Sequence, residues 1–123
     1  MFVIDKTGRT PIYEQIKTQI LALVSNGVLH TGDKLPSLRV LASSMNLNIN
    51  TVKKVFAELE ADGVVTTIMG SGTYISETAF RNPQIHKKAE TNLTEALRSA
   101  KSAGVTKEEV LSLVEKIYEE EIR

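Results

Sequence analysis

The sequence has no cysteine and no tryptophan, and its formal net charge at neutral pH is zero. Without cysteine the chain can form neither disulfides nor thiolate metal sites. No apolar stretch approaches the roughly 20 residues that a membrane-spanning helix needs. The first residues lack the basic segment and the apolar length of a signal peptide. We therefore expect a cytoplasmic protein that spans no membrane.

Features of an enzyme are also missing. His30 and His86 are isolated from each other and from acidic or nucleophilic motifs, and no phosphate-binding loop or metal-ligand cluster is visible. We therefore expect no catalytic activity, no metal and no cofactor. The chain has 123 residues, of which 41% are hydrophobic and 24% charged, as is ordinary for one globular domain or a small domain with an appendage.

Positive charge is concentrated in one part of this neutral chain. Residues 34–57 contain Lys34, Arg39, Lys53 and Lys54 but no acidic residue. The same segment predicts two short helices joined by a polar turn, residues 46–48. A basic helix-turn-helix is typical of proteins that enter a groove of DNA.

Capping residues and apolar spacing predict the elements around this motif. Thr10 and Pro11 are expected as the N-cap and first residue of a helix that ends before Gly27. Ser37 is expected to cap the second helix. A third helix is predicted over residues 49–62, with these residues in the core: Val52, Val55, Phe56 and Leu59.

Two β-rich runs, residues 64–68 and 73–76, flank glycines and predict a hairpin. Tyr74 is expected in the core. Three helices followed by a hairpin make a winged helix-turn-helix. The predicted fold class is therefore mainly α with a small β-hairpin, and the predicted domains are a DNA-binding domain over residues 1–76 and a two-helix dimerisation tail over residues 77–123.

Two amphipathic helices make up the predicted tail, after a linker at residues 77–82. Thr106 and Glu109 have the spacing of a capping box at the start of the last helix. Two short helices cannot bury their apolar faces alone, so packing on the first domain and packing on a second copy of the chain are the alternatives. We favour a homodimer, because DNA readers of this kind use two-fold symmetry. Its expected interface residues are Ile85, Ala89, Leu93, Leu97, Val110, Val114, Ile117 and Tyr118.

An ordered set of short motifs resembles the GntR family of bacterial transcription regulators. The motifs are Leu35-Pro36-Ser37-x-Arg39-x-Leu41-Ala42, Asn50-Thr51-Val52, Leu59-x-x-x-Gly63 and Gly70-x-Gly72-Thr73-Tyr74. The short tail is similar to that of the YtrA subfamily. The resemblance covers about residues 10–76. It implies a homodimeric repressor that binds an inverted-repeat operator, with control of transporter genes as a subfamily expectation. Whether a small-molecule effector binds, and which one, is left open.

The DNA-binding residues are predicted from the motifs together with the chemistry of their side chains. Arg39 can grip a guanine edge or a phosphate with two hydrogen bonds. For Asn48 an N-cap role and a DNA contact are both open, and for Lys54 a solvated side chain is the alternative. The full predicted set is Ser37, Arg39, Asn48, Asn50, Thr51, Lys53, Lys54, Gly70, Ser71, Gly72 and Thr73.

Two positions depart from the family pattern. Ile49 and Met69 stand where many relatives have basic residues, so contact of these two with DNA is left open. The alternative function is a winged helix that binds another protein, since a fold does not fix a function. The acid-free segment argues against that alternative, because a protein interface does not require acidic residues to be excluded.

Overall fold

The computed structural model describes residues 2–120, which form five α-helices, one 3₁₀ turn and one β-hairpin. In chain order the elements are α1 (Ile12–Ser25), α2 (Leu38–Ser44), α3 (Ile49–Ala61), β1 (Val65–Ile68), β2 (Gly72–Ile75), the 3₁₀ turn (Ala79–Arg81), α4 (Pro83–Ser102) and α5 (Lys107–Glu119). This order confirms the predicted fold class. No helix among the described residues is both long and apolar enough to cross a membrane.

Side-chain caps define most of the predicted helix starts. The Ser37 hydroxyl accepts a hydrogen bond from the Val40 amide, and Thr106 and Glu109 form the predicted capping box. The prediction for α1 was wrong by one residue. Pro11, with an extended ψ of 144°, occupies the cap position, and its carbonyl accepts the hydrogen bond from the Gln15 amide. Thr10 therefore lies outside the helix.

The core of the winged domain lies where α1 and α2 pack against α3. All four predicted core residues of α3 are buried, which confirms the period assigned to that helix. Full burial of each aliphatic side chain contributes about 1.5–3 kcal/mol. The most completely buried side chains are Ile16, Ile20, Val52, Val55, Leu59, Val64 and Ile75.

The hairpin is extended by a third, short strand-like segment before α2. The Leu35 amide donates to the Thr73 carbonyl over 2.8 Å, and the Ile75 amide donates to the Asp33 carbonyl over 2.9 Å. The amide of Gly32 likewise donates to the Ile75 carbonyl. The wing is thus tied along β2 to the loop between α1 and α2, and this pairing fixes its position beside α2.

The predicted linker at residues 77–82 is packed rather than free. Ala79 is completely buried, and the Thr78 hydroxyl donates to the Gly63 carbonyl over 2.6 Å. By its internal packing the chain divides into two compact units, Met1–Ala89 and Glu90–Arg123. The functional boundary at residues 76 and 77 stays a prediction.

Ile85 corrects the predicted dimerisation face. Its side chain is only 2% exposed and belongs to the core of the first unit, so it is not available to a second chain. In the second unit no residue of α5 is buried, and Val110 alone among the predicted interface residues of α5 is partly covered. The exposed apolar residues of the predicted interface are Ala89, Leu93, Leu97, Val114, Ile117 and Tyr118.

Candidate nucleic-acid interface

Arg39 projects from the first turn of α2 into solvent. Among the described residues it forms no ion pair, and no carboxylate competes for its guanidinium. Ser37, two residues earlier, uses its hydroxyl to cap α2 yet remains exposed. Arg39 is therefore a guanidinium with five unpaired donors at the start of α2, in the same groove as Ile49 of α3.

The start of α3 carries the amide and basic side chains predicted to contact DNA. Asn48 accepts a hydrogen bond from the Asn50 amide over 2.8 Å, which establishes it as the N-cap. Asn50 and Lys53 are exposed and lie one helical turn apart, so they share a face. Thr51 is half-buried beside them. Ile49 is 39% exposed at the same helix end.

Lys54 differs from its neighbour Lys53 in having a partner. Its ammonium group lies 4.1 Å from the centroid of the Tyr13 ring, in a cation–π contact between α3 and α1. Such contacts contribute about 0.5–1 kcal/mol at exposed sites. Lys54 therefore helps to hold α3 on α1, while Lys53 has no partner among the described residues.

The wing tip is a three-residue loop between the paired residues Ile68 and Gly72. Gly70 has a φ of +79°, a conformation that glycine adopts without strain. Met69 is 98% exposed. Tyr74, expected in the core, is only half-buried, because its hydroxyl shares a hydrogen bond with the Ser71 hydroxyl at the tip.

A groove of about 410 Å³ separates the wing from the start of α2 and α3. Its lining includes Arg39 of α2, Ile49 of α3, Ser71 and Thr73 of the wing, and Lys34. Lys34 pairs with Tyr74 in the strand-like segment, which places its side chain against Gly72. The groove thus brings together side chains from both ends of the predicted site.

Lys34 is the site residue that sequence reasoning did not select. It was counted in the acid-free segment, but nothing in the sequence showed that this loop pairs with the wing. Among the described residues its ammonium has no ion pair. We add Lys34 to the candidate interface as a cation beside the wing.

Charge is separated along α3. Near its C-terminal end, Glu58 and Asp62 bind Lys17 of α1, with distances from the Lys17 Nζ of 3.4 and 3.0 Å. The hydrogen bond that the Lys17 ammonium donates to Asp62, supported by the one that it donates to Glu58, raises the pKa of Lys17. The carboxylate of Glu60 accepts a hydrogen bond from the Thr67 amide. These three acidic side chains bind other groups of the fold at the C-terminal end of α3. The charged residues nearer its N-terminal end, Lys53 and Lys54, are both basic.

The winged domain matches a known family over residues 12–75, the family described as bacterial regulatory proteins, gntR family. The chain belongs to the gntR family. Its members are transcriptional regulators and not enzymes. Among residues 2–120, no three His, Asp or Glu side chains come together as a metal site requires.

Individual relatives agree with this assignment. The transcriptional repressor YtrA of Bacillus subtilis is 51% identical over 79 residues, which is 64% of this chain and 61% of YtrA. The regulator YhcF of the same organism is 38% identical over 102 residues, 82% of this chain and 84% of YhcF. The chain thus matches less than two thirds of the length of YtrA.

A solved structure extends the similarity beyond the winged domain. A GntR-family transcriptional regulator from Listeria monocytogenes is 33% identical, with a TM-score of 0.61, over 92% of this chain and 98% of that protein. The winged helix and the helices after it therefore occur together in another member of the family.

Proposed function

We propose that the protein is a repressor that binds an inverted-repeat DNA operator as a homodimer. The observation that carries the proposal is the groove that Arg39 and Ile49 share with the wing, beside the exposed Asn50 and Lys53 in the first turns of α3. Phosphate contacts supply most of the affinity for DNA, and base-edge contacts supply the sequence preference. The surface offers both kinds of group.

Each part of this surface has a role in the proposed complex. The N-terminal end of α3 enters the major groove, where Asn50 and Lys53 meet base edges or phosphates. Arg39 contacts a guanine edge or a phosphate beside it. The wing backbone at Gly70 approaches the adjacent strand of the duplex. Ser37, Thr51, Ser71, Gly72 and Thr73 supply hydroxyl and amide contacts, and Asn48 orients the helix start.

Residues 77–123 are proposed as the dimerisation tail of a domain formed by residues 1–76. The support is the apolar side of α4 and α5 that the chain leaves exposed: Leu93 and Ile117 are each 58% exposed. A second copy would cover this side and present two α3 helices to two half-sites.

The biological setting follows from the family. A regulator of bacterial transcription works where the chromosome lies, so we place the protein in the cytoplasm. The similarity to the repressor YtrA supports repression, and control of transporter genes is proposed from the same subfamily resemblance. No effector is assigned.

An electrophoretic mobility shift on DNA from upstream of the protein's own gene tests the proposal. We expect a shifted band at low salt. Footprinting of the bound DNA should then show two symmetric half-sites. A dimer with around 6–10 phosphate contacts loses roughly 10³–10⁵ in affinity between about 50 and 200 mM salt. Absence of binding to any duplex at low salt would support the alternative function, a winged helix that binds another protein.

A further inference from the structure

The segment before α1 is held by two glutamines of α1. Gln19 donates to the Val3 carbonyl over 2.6 Å and accepts from the Val3 amide over 2.9 Å. Gln15 donates to the Asp5 carbonyl and accepts from the Asp5 amide, both over 2.8 Å. Each side-chain amide thus bonds to the backbone as a neighbouring β-strand would.

Helix and strand geometry explain why this pair of glutamines fits. Residues four apart on a helix are displaced by about 6 Å along its axis. Residues two apart in an extended segment are displaced by about 6.6 Å, and their amides and carbonyls point to the same side. Gln15 and Gln19 therefore match the backbone repeat of Val3 and Asp5, and they fix the position of this segment along α1.

Both ends of the segment contact the helix-turn-helix. The Lys6 ammonium donates to the Asn46 carbonyl over 3.0 Å, and Phe2 lines a groove with Val40 and Met45 of the α2 region. Asn46 has a φ of +52°, which is uncommon for a residue other than glycine. A charge-assisted hydrogen bond thus ends on the left-handed residue of the turn that sets where α3 begins.

We propose that residues 2–6, here called the brace, position the helix-turn-helix for DNA, with Gln15, Gln19 and Lys6 as positioning residues. The brace joins α1 to the turn, so its release lets the start of α3 move relative to α1. The inference rests on the proposed DNA-binding function for its affinity readout. Its structural readout, the protection of the turn, does not depend on that function.

The test compares four variants of the full chain with wild type. Gln15→Leu combined with Gln19→Leu removes the clamps without changing charge, and Lys6→Met removes the contact to Asn46. Val3→Ala is the matched control, because the Val3 side chain is 82% exposed and only its backbone is bound. Lys6→Arg keeps a charged donor and is expected to restore binding.

We expect the double variant and Lys6→Met to lose about tenfold in affinity for upstream duplex DNA, measured by fluorescence anisotropy, as a few exposed hydrogen bonds allow. We expect the Leu47 amide, which donates to the Ala42 carbonyl in the turn, to exchange about tenfold faster in both. The salt dependence of binding should keep its wild-type slope.

Wild-type affinity in both variants, or unchanged exchange at Leu47, overturns the brace. Lys6 binds phosphate instead if Lys6→Met lowers the slope of log affinity against log salt by about 1.8, which is about 0.9 for each half-site. If wild type binds no duplex, the proposed function fails while the exchange measurement still tests the brace. If the double variant does not fold, Lys6→Met decides, since it removes one surface hydrogen bond.

Discussion

Arg39→Ala tests whether the proposed interface contacts DNA through the Arg39 side chain. The side chain has no partner in the chain among the described residues, so its removal breaks no contact of the fold. A lost arginine contact to a base edge costs about 1–3 kcal/mol. A dimer loses it twice, which gives roughly 2–6 kcal/mol, or about 30-fold to 10⁴-fold in affinity.

The assay is a fluorescence anisotropy titration of operator duplex at two salt concentrations. A phosphate contact would lower the slope of log affinity against log salt by about 0.9 for each half-site, whereas a base contact would leave the slope unchanged. Thermal unfolding of the free variant should match wild type.

Arg81→Ala is the matched control. Arg81 is exposed in the 3₁₀ turn, which is tied by Thr78 to Gly63 at the far end of α3. With 13 residues, α3 is about 20 Å long, so Arg81 lies well away from the N-terminal end of that helix. Wild-type affinity in Arg39→Ala, or an equal loss in Arg81→Ala, would refute the assigned interface.

Three further predictions concern the fold and the tail. Leu59→Ala removes a fully buried side chain and should lower the free energy of unfolding by about 2–5 kcal/mol in urea melts; a loss below about 1 kcal/mol would contradict the assigned core. Lys17→Met should cost about 1 kcal/mol at neutral pH. Because the pKa of Lys17 is raised in the folded protein, this difference in the free energy of unfolding should be present below the ordinary lysine pKa and vanish as pH rises through the raised value. If wild type and Lys17→Met show the same dependence of stability on pH, the salt bridge is refuted. Ile117→Glu should weaken dimerisation in sedimentation experiments, whereas Ser112→Glu, on the opposite side of α5, should not; equal behaviour would count against the tail interface.

Local side-chain chemistry made much of the fold predictable. Ser37 and Thr106 cap their helices as expected, because capping depends on residues three positions apart in sequence. The helical spacing of the apolar residues in α3 likewise predicted which face of that helix is buried. The prediction for α1 missed by one residue, because proline is acceptable both in the first turn and at the cap.

Features that depend on distant pairing were not predictable. The clamp formed by Gln15 and Gln19 has no sequence signal, since glutamines four apart are ordinary on an exposed helix. Lys34 joined the candidate site only through the pairing of its loop with β2. Ile85 shares the apolar period of the tail residues, and periodicity alone could not show that the first unit covers it.

The mass of the protein–DNA complex in solution tests the central claim most directly. Light scattering of wild-type protein mixed with a single operator duplex at low salt should give a mass of two chains for each duplex. Footprinting of the same complex should show two symmetric protected half-sites. A complex with one chain for each duplex would contradict the homodimer, and the absence of any complex would contradict DNA binding itself.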